Sequence, residues 1–195
     1  MNIKSKYLII LVLMLFAITV SISYAYFGAN VIHESEYETK VSTGLIDIKI
    51  NDTSVNASNI TPIYDEDYQL LAYDKEFSLA SSNDSLNSCT KIYLDIDSIS
   101  EALQSKYFKY LIKSSNGEEN SGTFEYANSN DKLLILDNVF IESGEVVNFD
   151  LYIWISYQDN VDQMDMLNTE MKSNIFIEGL DSKTKDKCIN NKLDE

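Results

Sequence analysis

The chain has 195 residues, with 31 acidic side chains against 15 Lys, no Arg and one His, for a formal net charge of −16. A surface this acidic repels nucleic acid and anionic lipid faces. One His and two Cys are too few for a structural zinc site. The skew to Lys, with abundant Asn, Ile and Tyr, reads as the mark of an AT-rich genome and not as a functional signal.

The N-terminus carries the clearest instruction. Lys4 and Lys6 precede 13 uncharged residues, Leu8 to Val20, and Ser23-Tyr24-Ala25 comes next as a small-x-small stop. This is the layout of a Sec-type export signal, so residues 1–25 are expected to be a signal peptide cut after Ala25, with Ser23 and Ala25 as the cleavage-site pair. The uncharged stretch runs on to His33, and about 20 apolar residues span a bilayer, so an uncut N-terminal anchor helix is the alternative. Lys on one side and Glu34, Glu36 and Glu38 on the other put residue 34 onward outside in both cases. The expected location is extracellular or at the cell surface. Export machinery and a signal peptidase are the implied partners, and membrane contact runs only through the N-terminal segment. Cleavage would leave 13 Lys against 31 acids, a net charge of −18. Solubility and self-repulsion explain that charge more simply than divalent cation binding.

Beyond the leader the chain reads as strands. The remaining roughly 170 residues fit one domain with a real core, expected at 26–180, and a polar tail at 181–195. In Leu45–Ile50, Ile46, Ile48 and Ile50 share one face, while Asp47 and Lys49 share the other. Tyr64, Tyr68 and Tyr73 read as sheet-face packing rather than a binding strip. Lys91–Asp97 repeats the alternation with Ile92, Leu94 and Ile96 inward. A capping box, Ser98-Ile99-Ser100-Glu101, predicts one short helix through Gln104. Asn116-Gly117 and Ser143-Gly144 are turn signals. Phe149–Tyr157 is the strongest strand: Leu151, Ile153 and Ile155 line one face, Tyr152 and Trp154 the other, so it should be an interior strand. Ser173–Leu180, with Ile177, closes the series. Weaker strands are expected at Lys75–Ala80, Tyr107–Lys113, Gly122–Tyr126 and Leu133–Leu136. Seven to nine short strands at this spacing imply an all-β fold, an antiparallel β-sandwich. The residues expected at its core are Ile46, Ile48, Ile92, Leu94, Leu151, Ile153, Ile155 and Ile177.

Two cysteines remain. Outside the cell Cys89 and Cys188 could form a disulfide, and closing a loop of ~100 residues could contribute about 4–5 kcal/mol; two free thiols are the alternative. The sequons at Asn51, Asn56, Asn59 and Asn83 occur by chance in an Asn- and Ser-rich chain.

Several segments together resemble the TasA and camelysin family of exported proteins of Gram-positive bacteria. A leader ending Ala25-Tyr26-Phe27 is succeeded by Thr43-Gly44-Leu45-Ile46-Asp47-Ile48. Lys75-Glu76-Phe77-Ser78-Leu79 and Lys91-Ile92-Tyr93-Leu94-Asp95-Ile96 look like its paired strands. Ser143-Gly144-Glu145 leading to Leu151-Tyr152-Ile153-Trp154-Ile155 looks like its second turn and aromatic strand, and Lys172–Gly179 like its last strand. Two turns depart from the family pattern: Pro62-Ile63-Tyr64-Asp65 lacks the Gly, and Ser143 stands where the family has Pro. The resemblance implies a jelly-roll-like sandwich, export, and a role at the cell surface or in the matrix. It does not settle polymerisation, so self-association or association with paralogous exported proteins, through strand exchange, is an expectation beside it.

Enzymatic chemistry finds little to build on. A zincin needs two imidazoles one turn apart on a helix, and the single His33 cannot supply them. Neither a serine nor a cysteine nucleophile has a base nearby in sequence. Asp159, Asp162 and Asp165 make an acidic loop that could offer oxygens to calcium, but without EF-hand spacing or a Gly for the sharp turn, a solvated loop is the simpler reading. No catalytic residue and no cofactor is expected. The leading expectation is an exported, non-enzymatic structural protein of the surface or matrix, able to assemble into fibres. The alternative is a secreted or anchored ligand-binding sandwich, with calcium as a candidate aid.

Overall fold

The computed structural model describes residues 39–42, 46–182 and 184–189, all within the unit from Glu38 to Glu195. The leader, with Ser23 and Ala25, and most of the segment Phe27–Val41 lie outside the described residues. Eleven strands run in chain order among the described residues: β1 Thr39–Ser42, β2 Asp47–Ile50, β3 Ser54–Ser58, β4 Pro62–Ile63, β5 Tyr73–Ser81, β6 Ser88–Ile99, β7 Phe108–Ser114, β8 Glu119–Thr123, β9 Lys132–Ile141, β10 Val146–Ser156 and β11 Glu170–Asp181. Two short helices are present among the described residues, α1 at Tyr68–Leu71 and α2 at Lys185–Ile189, beside single 3-10 turns.

The strands form two sheets. The larger runs β1-β2-β5-β10-β7-β8, with β4 pairing β10 beyond the end of β5; the smaller runs β3-β11-β6-β9. Every pairing is antiparallel except β4 with β10. Apart from the β1–β2 and β7–β8 hairpins and β4–β5, successive strands alternate between the sheets, so each step of the chain crosses the core.

Alternation explains the packing. β10 sits between β5 and β7 and sends Val147, Phe149, Leu151, Ile153 and Ile155 into the interior. There they meet Ile92, Leu94 and Ile96 of β6 and Ile175 and Ile177 of β11 in one continuous core. All eight residues expected there are buried, none more than 2 % exposed. Phe77 and Phe149, opposite each other across β5 and β10, stack at 4.9 Å, a cross-strand pair that fixes register as well as filling space. At Gly179 of β11 a Cβ would lie 3.5 Å from Ile48 Cδ1 of β2, so the two sheets are in close contact there.

Two expectations are corrected. First, the capping box does not start a helix: Ser98 is in β6, paired with Lys172, and only Glu101–Leu103 forms a 3-10 turn, with Ser100 making no side-chain cap. β6 continues to Ile99 with a shift of phase at Asp97, which the ladder with β11 skips, and sheet pairing outcompetes the local cap. Second, strands are more numerous than seven to nine, because short β3 and β4 carry too few residues to show a pattern. β8 also begins earlier than expected: Gly117 adopts φ 92° in a tight turn, and Ser114 N–H donates to Glu118 O at 2.8 Å, which starts the return strand at once. The described part of the expected polar tail has regular structure. β11 reaches Asp181, and α2 carries Cys188, fully buried beside Cys89 and Phe140.

Replacing Ile153 by Asp places an unpaired charge in this core and should lower stability by several kcal/mol, roughly 3–5. A urea titration checks it; a loss under about 1 kcal/mol would mean that this face of β10 is not the interior.

Candidate functional site

The outer face of the larger sheet is the place where the fold departs from a plain alternation of apolar and polar. Trp154 points outward from β10 yet is only 5 % exposed. Its cover is the segment between β4 and β5, which leaves the sheet at Ile63 and crosses back over the outer face as a 3-10 turn (Asp65–Asp67) and α1. Tyr68 of α1 stacks on Trp154 at 5.6 Å and meets Tyr152 edge-on at 5.2 Å. Asp65 accepts from Trp154 Nε1 at 2.8 Å and from Lys109 Nζ at 2.7 Å. Lys113 Nζ donates to the Tyr68 hydroxyl at 2.9 Å and lies 5.4 Å from the ring centroid. An indole N–H needs an acceptor when covered, and a flap without a single buried residue of its own needs anchors; one carboxylate serves both.

Beside this cover lies a cleft of about 390 Å³, within the ~300–1,000 Å³ typical of ligand sites. Asp65, Tyr68 and Trp154 wall it on one side, and Lys109, Leu111 and Thr123 extend it towards β8. Partial burial works to raise the Asp65 pKa, but Lys109, Trp154 and Ser156 outweigh it and hold the carboxyl below the usual range. The ion pair makes this wall locally neutral in an otherwise acidic protein. Across β10 the balance reverses. Burial, then Asp150, then Glu76 push the Asp74 carboxyl up, because three acids share adjacent outward positions on β5 and β10.

The other candidate residues have separate fates. Cys89 and Cys188 form a disulfide, with Cα atoms 5.3 Å apart, that ties α2 to β6. Asp159, Asp162 and Asp165 are exposed, and Asp162 accepts from Met164 N–H at 3.0 Å. No three acidic, His or Cys side chains converge as a metal site among the described residues, so these three aspartates are not brought together as calcium ligands. Tyr64, Tyr68 and Tyr73 do not share a face. Tyr64 meets Tyr157 edge-on at 5.2 Å and is half-exposed, Tyr68 covers Trp154, and the Tyr73 hydroxyl accepts from Asn56 N–H at 3.1 Å. The sequence alone does not announce the cleft. Its signal is Trp154 on the outward phase of a strand, together with the acidic run Asp65-Glu66-Asp67 well upstream. No family model, characterised protein or solved structure matches the chain.

These electrostatics and the disulfide lead to two measurements. With its folded pKa raised, Asp74 destabilises at neutral pH, and the penalty disappears as pH falls through that raised value. Asp74→Asn should therefore raise the urea midpoint at pH 7 by an amount worth under about 1 kcal/mol, given solvent screening, and the gain should vanish near pH ~3. Cys188→Ala should lose about 4 kcal/mol without reductant, as expected for opening a loop of 99 residues. Dithiothreitol should bring the wild type to the same midpoint and leave the variant unmoved.

Proposed function

We propose that this chain is an exported, non-enzymatic structural protein of the cell surface or extracellular matrix. The observation that carries the reading is the Cys89–Cys188 disulfide, which joins the only two cysteines of the chain. Such bonds persist in oxidising compartments and are rare in the cytosol, and the leader sequence points the same way. The alternation of strands between two sheets supports the jelly-roll-like form of the sandwich. Assembly into fibres through the segment Phe27–Val41 accords with its sequence, where Val31-Ile32 and the alternating Tyr37, Thr39 and Val41 suit a strand, and with the resemblance to TasA-like proteins. The proposed partners are other copies of this chain or paralogous exported proteins, with the membrane met only at the N-terminal segment.

A second reading, a ligand-binding sandwich, is favoured by the cleft beside Tyr68 and Trp154. Its neutral wall and covered aromatic rings suit an uncharged or mixed-polarity group better than a metal ion.

Cell fractionation with N-terminal sequencing tests export: the chain should appear outside the cytoplasmic membrane, beginning near Tyr26. A reduced, full-length chain in the cytoplasm would overturn it. Light scattering of protein lacking residues 1–25, set beside protein also lacking 26–41, tests assembly. Only the longer form should grow, faster at high salt or mildly acid pH, where repulsion between copies is weakest. Two monomeric forms under all conditions would leave the binding module as the better reading.

A further inference from the structure

The two sheets end on the same side of the sandwich in edge strands that are treated differently. The β9 edge is occupied: Asn120 Nδ2 donates to Ile135 O at 2.8 Å, Tyr110 OH to Leu134 O at 3.5 Å, and α2 packs against β9 under the disulfide. The β8 edge is not. Phe124 N–H donates to Phe108 O at 3.0 Å and Ser114 N–H to Glu118 O at 2.8 Å, which fixes the phase of the β7–β8 ladder. In that phase the even-numbered residues bond to β7, and the N–H and C=O groups of Glu119, Ser121 and Thr123 point away from it. Among the described residues no strand pairs with that side. β8 has no Pro, no Lys and no bulge, and is blunted by its shortness and by Glu119 alone.

The charges carried by the edge segment itself have one sign, with Lys109 and Lys113 across the ladder on β7 and Lys185 3.5 Å from Glu118. Glu119 and Glu125 flank it and are exposed, and no Lys occurs between Glu118 and Asp131. Lys113 lies opposite Glu119 but is turned onto the Tyr68 hydroxyl, and neither Glu119 nor Glu125 makes an ion pair among the described residues. Between them the outward side chains, Ser121 and Thr123, are small. Thr123 also lines the cleft that runs back to Lys109 and Tyr68.

We propose that the β8 edge is a docking site for an extended peptide segment of another protein, one that carries Lys or Arg at both ends of a short β-forming stretch. The segment adds as a strand to β8, bonding to the outward backbone groups of Glu119, Ser121 and Thr123. Its basic ends meet Glu119 and Glu125, and one of its outward side chains enters the cleft. A second copy pairing by its own β8 is a poorer occupant, since it would bring the same acids, Glu119 and Glu125, against each other. The inference goes beyond the surface or matrix reading and does not depend on it.

The test uses the whole chain and a fluorescent heptapeptide of alternating threonine and valine with lysine at both ends. The peptide should bind, more weakly as salt rises, and should slow amide exchange at Ser121 and Thr123. Ser121→Pro removes an N–H that the fold does not use, at an edge where proline is tolerated. It should keep the wild-type urea midpoint and weaken binding at least tenfold. The double variant Glu119→Lys with Glu125→Lys should reject the lysine peptide and accept its glutamate-ended counterpart. Absence of amide protection on β8, unchanged binding by folded Ser121→Pro, or sedimentation of the wild type as a dimer that Ser121→Pro dissolves would each overturn the proposal.

Discussion

The double-sided burial of β10 is the constraint on which the rest of this molecule depends. A sheet strand normally gives one face to the core and one to water. From Ile153 to Ser156 this strand gives neither face freely, because Trp154 and Ser156 are nearly as well covered on the outside as Ile153 and Ile155 are on the inside. The inner face is satisfied by the smaller sheet. The outer face demands something else, and the chain supplies it by inserting residues 64–72 between β4 and β5. That insertion leaves apolar surface in water, with Leu70 86 % and Leu71 61 % accessible. A cover laid over only part of a face leaves a step at its margin, and the cleft beside Lys109 and Leu111 is that step.

Charge works within this frame rather than making it. The Lys side chains of several described ion pairs reach acids distant in sequence: Asp52 to Lys75, Asp65 to Lys109, Asp137 to Lys91 and Glu118 to Lys185. Such surface pairs contribute little each. What they do is decide where acid is left uncompensated. On the outer face of β5 and β10, Asp74, Glu76 and Asp150 remain together, and the burial and mutual repulsion that raise the Asp74 pKa are the local record of the −16 carried by the whole chain.

Legibility in the sequence depends on how many residues share one rule. β2, β6, β10 and β11 are long enough, or regular enough, for alternation to name their core residues one by one, and those residues are buried. The segment after Ile96 shows where a local rule loses. Ser98 and Glu101 have the spacing of a cap, yet β11 offers Ser98 a ladder partner in Lys172, and a strand already paired from Ser88 to Ile96 extends more readily than a helix can nucleate. The cleft is illegible for a different reason. Asp65 and Trp154 are 89 positions apart, and nothing in either neighbourhood says that a flap will carry one over the other. Trp154 on an outward phase shows only that some cover is needed.

The disulfide and the two sheet edges belong to one problem. A sandwich of unequal sheets has edges to guard, and on this side the smaller sheet is guarded at every level: by side-chain donors from Asn120 and Tyr110, by α2, and by a bond from Cys188 back to β6. A five-residue helix is too short to hold itself in water, so the cover of β9 depends on the covalent tie and on the Cys89–Phe140–Cys188 contact beneath it. The donors that close β9 come from β7 and β8, and Asn120 does so with an inward-phase side chain. That leaves the outward-pointing backbone of β8 as the unguarded edge on this side among the described residues. Guarding one edge with side chains from the strand next door fixes that strand in place, and so presents its own free edge as a rigid, pre-formed template rather than a fraying end.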